Sequence, residues 1–174
     1  MKRTGAIVVG VIVSALSAAR ASAETGKTIV KGTSDGSSVA GSATLTDTPA
    51  GLQVTVHVSG VPAGKHGLHI HQYGDCADKG NAAGGHYNPD NVMHGFMPKD
   101  GFANAHPGDL GNIDVEPDGS GSLSLLLPGV TLSGGKYSVG GRAIVLHEKV
   151  DDFGQPTGNA GSRIGCGPIV ITKD

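Results

Sequence analysis

The chain has 174 residues, with 13 basic and 15 acidic side chains, 30 glycines, nine prolines, no tryptophan and only 3% aromatic residues. This length allows a single domain with a substantial core, and the acidic balance argues against a nucleic-acid partner. The glycine-rich composition favours short strands separated by turns, and no segment of about 12 residues has a convincing helical period.

The first 23 residues are typical of a cleaved export signal. Lys2 and Arg3 precede an apolar run over residues 6–16, and the segment closes on the small residues Ala21–Ser22–Ala23. The run is short for a membrane span, although an uncleaved N-terminal anchor is the alternative. We therefore expect an exported protein, periplasmic or secreted, with one domain over residues 24–174 and no stable membrane span after processing. Loss of three basic residues with the signal leaves 13 − 3 = 10 against 15 acidic, a formal charge of −5.

Runs of alternating apolar and polar residues predict antiparallel strands. Residues 38–48 and 52–60 flank the turn Pro49–Ala50–Gly51, and the apolar residues at 52, 54, 56 and 58 share one face. A second hairpin turns at Asp118–Gly119. Further strands are predicted over GLHIH (67–71), GRAIVLHEK (141–149) and CGPIVITKD (166–174). The expected fold is all-β, an antiparallel Greek-key β-sandwich or flattened barrel. Its two long connections, residues 72–109 and 150–163, are expected to be functional.

The strand GLHIH places His69 and His71 on one face, because residues i and i+2 of a strand point the same way. Two imidazoles so placed can converge on one metal ion, although a half-buried polar face is an equally good interpretation. Cys76 and Cys166 are the only cysteines of the chain. In an oxidising compartment they are predicted to form a disulfide, with two buried free thiols as the alternative.

The first long loop carries His86, His94, His106 and Asp109 within 24 residues. Three nitrogens and one carboxylate oxygen make a suitable tetrahedral set for Zn²⁺, although histidines on the surface of a polar loop are the alternative.

Three residues carry no metal or substrate signal by their spacing alone. His147 shares a strand face with Val145, Asp151 lies in the second long loop, and Arg163 precedes Cys166 by three positions. Without further support they are ordinary strand or loop side chains.

The segments GLHIHQYGD, AGGHYNP, HPGDLGN, GRAIVLHEKVDD and TGNAGSRIGCG, in this order, resemble the signature segments of the copper/zinc superoxide dismutases. The resemblance covers nearly all of residues 28–170. It implies a copper ion held by His69, His71, His86 and His147, and a zinc ion held by His86, His94, His106 and Asp109. His86 would bridge the two metals. Asp151 would link a copper histidine to a zinc histidine, and Arg163 would guide the substrate.

The activity implied by the resemblance is conversion of superoxide to O₂ and H₂O₂ by alternate reduction and reoxidation of the histidine-bound copper. One copper and one structural zinc are expected per subunit, with His86 and Arg163 as the catalytic residues. A homodimer is possible. The alternative from another class is a non-catalytic copper-binding or copper-handling module on the same sandwich.

The sequence also departs from the family pattern. Residues 152–157 form a short segment, and Pro156 stands where many relatives carry a lysine, so attraction of the anion would depend on Arg163 and Lys149. Cys76 lies nearer the histidines than in eukaryotic relatives, a placement more like that of bacterial members. His66 is expected to be structural, and His57 to be exposed.

Overall fold

The computed structural model describes residues 23–172. The predicted export signal therefore lies almost entirely outside the described residues. Nine strands make up nearly all of the regular structure: β1 Thr25–Gly32, β2 Ala40–Thr48, β3 Gly51–Ser59, β4 Gly64–His71, β5 Asp109–Val115, β6 Gly121–Leu127, β7 Ala143–His147, β8 Arg163–Pro168 and β9 Val170–Thr172. A one-turn helix, α1 (Met97–Asp100), and a 3-10 turn over Asn81–Ala83 lie in the first long loop. No helix in this part of the chain is long and apolar enough to cross a membrane.

Eight of the strands close into an antiparallel barrel. Neighbouring strands follow the order β2, β3, β6, β5, β4, β7, β8 and β1, and β1 pairs back onto β2. The β3–β4 and β6–β7 connections pass over intervening strands, which is the Greek-key arrangement. The short strand β9 adds to the edge of β1. The predicted all-β Greek-key fold is thus confirmed.

The interior of the barrel is filled by one face of each strand. In β3 the residues at 52, 54, 56 and 58 are all buried, as the alternation predicted, whereas His57 points to solvent. Both predicted hairpins are present, and Gly119 provides the positive φ of 83° at the second turn. The largest buried side chains belong to one continuous cluster inside the barrel.

Strands β4 and β7 differ from the others because they are buried on both faces. Leu68, Ile70, Ile144 and Leu146 belong to the barrel core. The alternate residues of these strands point outward and lie beneath the two long loops, residues 72–108 and 148–162. A second small apolar cluster, containing Val145 and Cys166, forms under the first loop. The predicted long loops therefore cover one outer wall of the barrel.

Two features of the strand assignment were wrong or missing. The C-terminal segment forms two strands instead of one, because Ile169 leaves the ladder and its N–H donates to the carbonyl of Arg142. β1 was not predicted at all. Its inward residues include Gly26 and Thr28, while Ile29 is 62% exposed, so no apolar alternation marks the strand.

Candidate metal centre

Antiparallel pairing brings the outward-facing histidines together. His69 and His71 lie at the end of β4, and His147 lies at the end of the neighbouring strand β7. In this pairing His71 is opposite Ala143, and His69 is opposite Val145. His86 reaches the same place because its backbone forms an isolated bridge with His71.

The structure gathers all seven predicted metal-site residues into two buried groups. The first consists of His69, His71, His86 and His147, and the second of His86, His94, His106 and Asp109. Within each group the candidate ligand atoms lie within 4.8 Å of one another. His86 belongs to both groups. Its ring stacks on that of His69, with centroids 3.9 Å apart, while its Nδ1 lies 3.0 Å from Oδ1 of Asp109.

On each non-bridging histidine one ring nitrogen bonds a group outside the two metal groups, and the other nitrogen is directed into its group. His71 and His147 direct Nδ1 at the carbonyl oxygens of Gly84 (2.9 Å) and Gly161 (3.2 Å), so Nδ1 carries the proton and Nε2 is free. The two Nε2 atoms face each other at 3.2 Å. His106 has the opposite arrangement, with Nε2 donating to the carbonyl oxygen of Val92 (3.1 Å) and Nδ1 2.9 Å from Oδ1 of Asp109, the carboxylate of its own group.

Asp151 determines which ring nitrogen of His69 and of His94 is directed into its metal group. Its Oδ2 accepts from Nε2 of His69 (2.8 Å) and of His94 (3.0 Å), and its Oδ1 also lies 3.0 Å from Nε2 of His94. Nδ1 of each ring has no hydrogen-bond partner, although both atoms are buried. Nδ1 of His94 lies 2.9 Å from Oδ2 of Asp109 without hydrogen-bond geometry. Two orphaned buried nitrogens, one in each group, fit a pair of metal ions.

Burial keeps the first group neutral. Desolvation lowers the pKa of His69 to about 3, of His71 to about 2 and of His147 to about 4. Neutral imidazole is the form that binds a metal, so these rings are ready to coordinate at neutral pH.

The second group carries a fixed negative charge. Burial raises the pKa of Asp109, but the neighbouring rings of His106, His86 and His94 outweigh this and hold it well below its usual range. Burial likewise lowers the pKa of His94, but the nearby carboxylates of Asp109 and Asp151 outweigh this and raise it to about 9, so a metal ion must displace a proton to bind this ring. A carboxylate with three histidines around it has the charge and the donor types that Zn²⁺ prefers.

Comparison with known proteins identifies the family. The family model described as copper/zinc superoxide dismutase (SODC) matches residues 39–169. This chain belongs to the copper/zinc superoxide dismutase family.

Several relatives support this membership. The extracellular superoxide dismutase [Cu-Zn] of Caenorhabditis elegans is 45% identical over 130 residues, which cover 71% of this chain and 57% of the relative. This chain thus spans little more than half the length of that protein. Superoxide dismutase [Cu-Zn] 5 of Dictyostelium discoideum is 43% identical over 123 residues, covering 67% of this chain and 78% of the relative. A crystal structure titled as that of the clock protein EA4 superposes with a TM-score of 0.75 and 34% identity, covering 88% of this chain and 98% of the other.

Membership in the copper/zinc superoxide dismutase family makes copper and zinc the cofactors of the site, and both groups fit them. Imidazole nitrogens suit copper, and the group of three histidines and one aspartate suits zinc. The geometry of Asp151 agrees with the predicted link between a histidine of each group.

Arg163 lies beside the first group and lines a small cavity. The cavity has a volume of about 190 Å³ and is lined in part by His71, His86, His147 and Thr157. The guanidinium of Arg163 donates to the carbonyl oxygens of Gly80 and Gly84 (2.6 Å for the latter). Those carbonyls fix its position, and burial lowers its pKa.

The predicted disulfide ties the loop that holds Arg163 to the barrel. Cys76 and Cys166 are bonded across 90 residues with their Cα atoms 5.7 Å apart. Cys76 accepts a hydrogen bond at its carbonyl from the N–H of Gly80 (3.1 Å), and Cys166 lies on the same strand as Arg163. The alternative of two free thiols is wrong.

Other residues that shape the site were not recognised from the sequence. Asn112 holds the backbone of Asp151, accepting from its N–H (2.7 Å) and donating to its carbonyl (2.9 Å). Gly158 has a φ of 74°, and a Cβ there would lie 1.9 Å from Oδ1 of Asp151 and 2.7 Å from Nε2 of His94. Only glycine allows this close approach. The ring of His66 bonds the carbonyls of His147 and Pro62, which agrees with its structural assignment.

Proposed function

We propose that this chain catalyses the dismutation of superoxide, with copper held by His69, His71, His86 and His147 and zinc held by His86, His94, His106 and Asp109. The observation that carries the proposal is the pair of buried four-donor groups that share His86. Because a shared imidazole can use both nitrogens as ligands only after losing its proton, two nearby dications favour that form.

When bound, copper supplies the one-electron redox chemistry that turns two superoxide ions and two protons into O₂ and H₂O₂, while zinc does not change oxidation state. The residues around the cavity attract and hold the substrate. Arg163 places a fixed cation at the cavity, where a small anion is attracted and held beside the first group. The cavity, of about 190 Å³, is large enough to admit a diatomic anion.

His86 is the proposed proton donor. Among the described residues, its Nδ1 faces Asp109, whereas its Nε2 lies on the cavity side with the first group. When Nε2 is not acting as a ligand it can hold a proton and deliver it to the peroxide product, which is general acid catalysis. Asp109 stays ionised and stabilises the ring in this role.

We also propose that the chain is exported, to the periplasm or beyond the cell. Three observations support export: the basic and apolar N-terminal segment, the disulfide, and relatives from Caenorhabditis elegans and Haemonchus contortus whose names include the word extracellular. Amino-terminal sequencing of the exported protein would detect cleavage after Ala23. Recovery with the first 23 residues retained would indicate the membrane anchor instead.

A homodimer is proposed through the outer face of β1, β8 and β9. An apolar groove of about 600 Å³ lies there, with Ile29 62% and Val170 59% exposed at its surface. Such a pair of exposed aliphatic side chains beside a rigid disulfide favours contact with a second copy. Sedimentation of the mature protein should show a dimer that Ile29→Asp converts to a monomer. A wild-type monomer at micromolar concentration would contradict the proposal.

The activity is tested by following superoxide decay directly in a stopped-flow instrument. Protein loaded with copper and zinc should act near the diffusional range of about 10⁸–10⁹ M⁻¹s⁻¹. The rate should disappear on copper removal and return when copper alone is added. A chain that binds both metals but does not exceed the rate of free copper would instead be a copper-binding or copper-handling module.

A further inference from the structure

Gln155 joins the second long loop to a residue of the zinc group. Its side-chain Oε1 accepts a hydrogen bond from the backbone N–H of His94 (3.0 Å), and its Nε2 donates to the backbone carbonyl of His94 (2.9 Å). One amide side chain thus satisfies both backbone polar groups of a residue 61 positions away.

His94 has little other backbone support. It lies in residues 91–96, which are neither helix nor strand, and among the described residues no backbone–backbone hydrogen bond involves its N–H or C=O. Its ring is oriented by Asp151 and packs near-parallel to the ring of Phe153, with centroids 6.2 Å apart. Both of these contacts also come from the second loop, so the position of His94 depends on that loop.

We infer that Gln155 is a positioning residue for zinc, which holds the main chain of His94 so that its Nδ1 stays directed into the second group. This inference rests on the proposed zinc site. Residues that hold a metal ligand in its binding orientation raise metal affinity, because the ligand then loses less conformational freedom when the metal binds. Gln155 therefore slows zinc loss without contributing a ligand atom.

The same contact ties zinc to the wall of the substrate cavity. Thr157 and Asn159, two and four residues beyond Gln155, line that cavity together with Arg163. Because Gln155 is hydrogen-bonded to His94, the residues that follow Gln155 are also held in place where they line the cavity. Hydrogen exchange of residues 156–161 should accordingly increase when zinc alone is removed, and this increase should be smaller in a chain that lacks the Gln155 contact.

The test compares three variants of the full, metal-loaded protein. Gln155→Met keeps the size of the side chain and removes both hydrogen bonds, while Gln155→Glu keeps the acceptor and loses the donor. Gln53→Met is the matched control, because Gln53 makes a single side-chain bond to Ser124 (3.0 Å) on the outer face of β3.

The readout is transfer of zinc to a chromophoric chelator at neutral pH. We expect roughly ten-fold faster transfer from Gln155→Met, an intermediate rate from Gln155→Glu and the wild-type rate from Gln53→Met. With cobalt(II) in the zinc position, the tetrahedral d–d bands should be the same in all variants, but half-saturation of Gln155→Met should need more cobalt. Because Gln155 is exposed, the urea midpoint of the metal-free protein should not change.

The inference is overturned by a wild-type transfer rate in Gln155→Met, or by an equal acceleration in Gln53→Met. It is also overturned if the metal-free Gln155→Met protein is destabilised as strongly as its zinc affinity falls, since Gln155 would then support the fold and not the ligand. Failure of the wild-type protein to bind zinc would overturn the proposed function together with the inference.

Discussion

Replacing Asp151 by asparagine should weaken the zinc site more than the copper site. Asp151 is a buried carboxylate whose pKa burial raises but hydrogen bonds from His69 and His94 lower, so it is ionised at neutral pH. Oδ2 accepts from the rings of His69 and His94, whereas Oδ1 accepts from the ring of His94 and from the N–H of Phe153 (2.8 Å). Asparagine supplies only one oxygen, and its NH₂ group must occupy the other position.

The two orientations of that amide do not affect the two histidines equally. With oxygen at the Oδ2 position, His69 and His94 both keep an acceptor, but the NH₂ group faces Nε2 of His94 and the N–H of Phe153. With oxygen at the Oδ1 position, only His94 keeps an acceptor, and the NH₂ group faces both His69 and His94. His94 therefore meets a donor in either orientation, while His69 does so in only one.

The magnitude follows from the cost of an unpartnered buried donor, about 1–3 kcal/mol. This corresponds to a loss of about 5- to 150-fold in zinc affinity, which agrees with the 10- to 100-fold typical for partners of metal ligands. Copper affinity should change by a smaller factor, because the amide can choose the orientation that keeps His69 bonded.

The assay is competition of each metal with a chelator of known affinity. Asp152→Asn is the control, because Asp152 is exposed and bonds Asn159 and Gly154 but no histidine. If Asp151→Asn binds zinc as tightly as Asp152→Asn, or loses copper more readily than zinc, the reasoning from these hydrogen bonds is refuted.

Four further outcomes are expected. Arg163→Ala should lower kcat/KM for superoxide about ten-fold or more at low salt, with Arg163→Lys intermediate; an unchanged rate would remove Arg163 from substrate guidance. Lys149→Gln should lower that rate about two-fold at low salt and not at high salt, and a salt-independent change would contradict steering. Replacing Cys76 and Cys166 together by serine should cost about 4–5 kcal/mol in urea unfolding, because the disulfide closes a long loop; a loss below about 1 kcal/mol would contradict this. The metal-free protein should lose stability from pH 6.5 toward pH 4, because the pKa values of the three unshared histidines of the copper group are about 2 to 4 in the folded chain, and the unfolded chain therefore takes up more protons. Each of these three histidines should lower the free energy of unfolding by about 1.4 kcal/mol per pH unit in this window. His94 has a raised pKa, so its contribution to stability is lost only as the pH rises toward 9. Unfolding curves that do not change between pH 6.5 and pH 4.5 would refute the predicted loss of stability at low pH.

The strands that could be predicted are those whose inward residues are apolar. β3 alternates cleanly, and its four inward side chains are buried as expected. β1 could not be found in this way because Gly26 and Thr28 face inward, whereas Ile29 faces outward. Ile29 faces outward because it lines the apolar groove on the outer face, and such a groove leaves no periodic signal in the sequence.

The candidate ligands could be predicted because metal chemistry restricts the residue types, and because long motifs preserve their order. The orientation of each ring could not be. The proton positions depend on the carbonyls of Gly84, Gly161 and Val92, which only the tertiary structure brings to the rings. Gln155 and Asn112 were missed for the same reason, since a polar amide in a loop acquires its role from the backbone it meets.

The assignment of both metals to one joined centre depends on His86. It is tested most directly by electron paramagnetic resonance of protein with Cu²⁺ in both groups. If one imidazole joins the ions, the two spins couple, and the signal should be much weaker than that of two separate Cu²⁺ ions at low temperature. It should regain full intensity for two ions in His86→Ala, provided that variant still binds both. Two independent Cu²⁺ signals in the wild-type protein would show that His86 does not bridge the groups and would contradict the proposed centre.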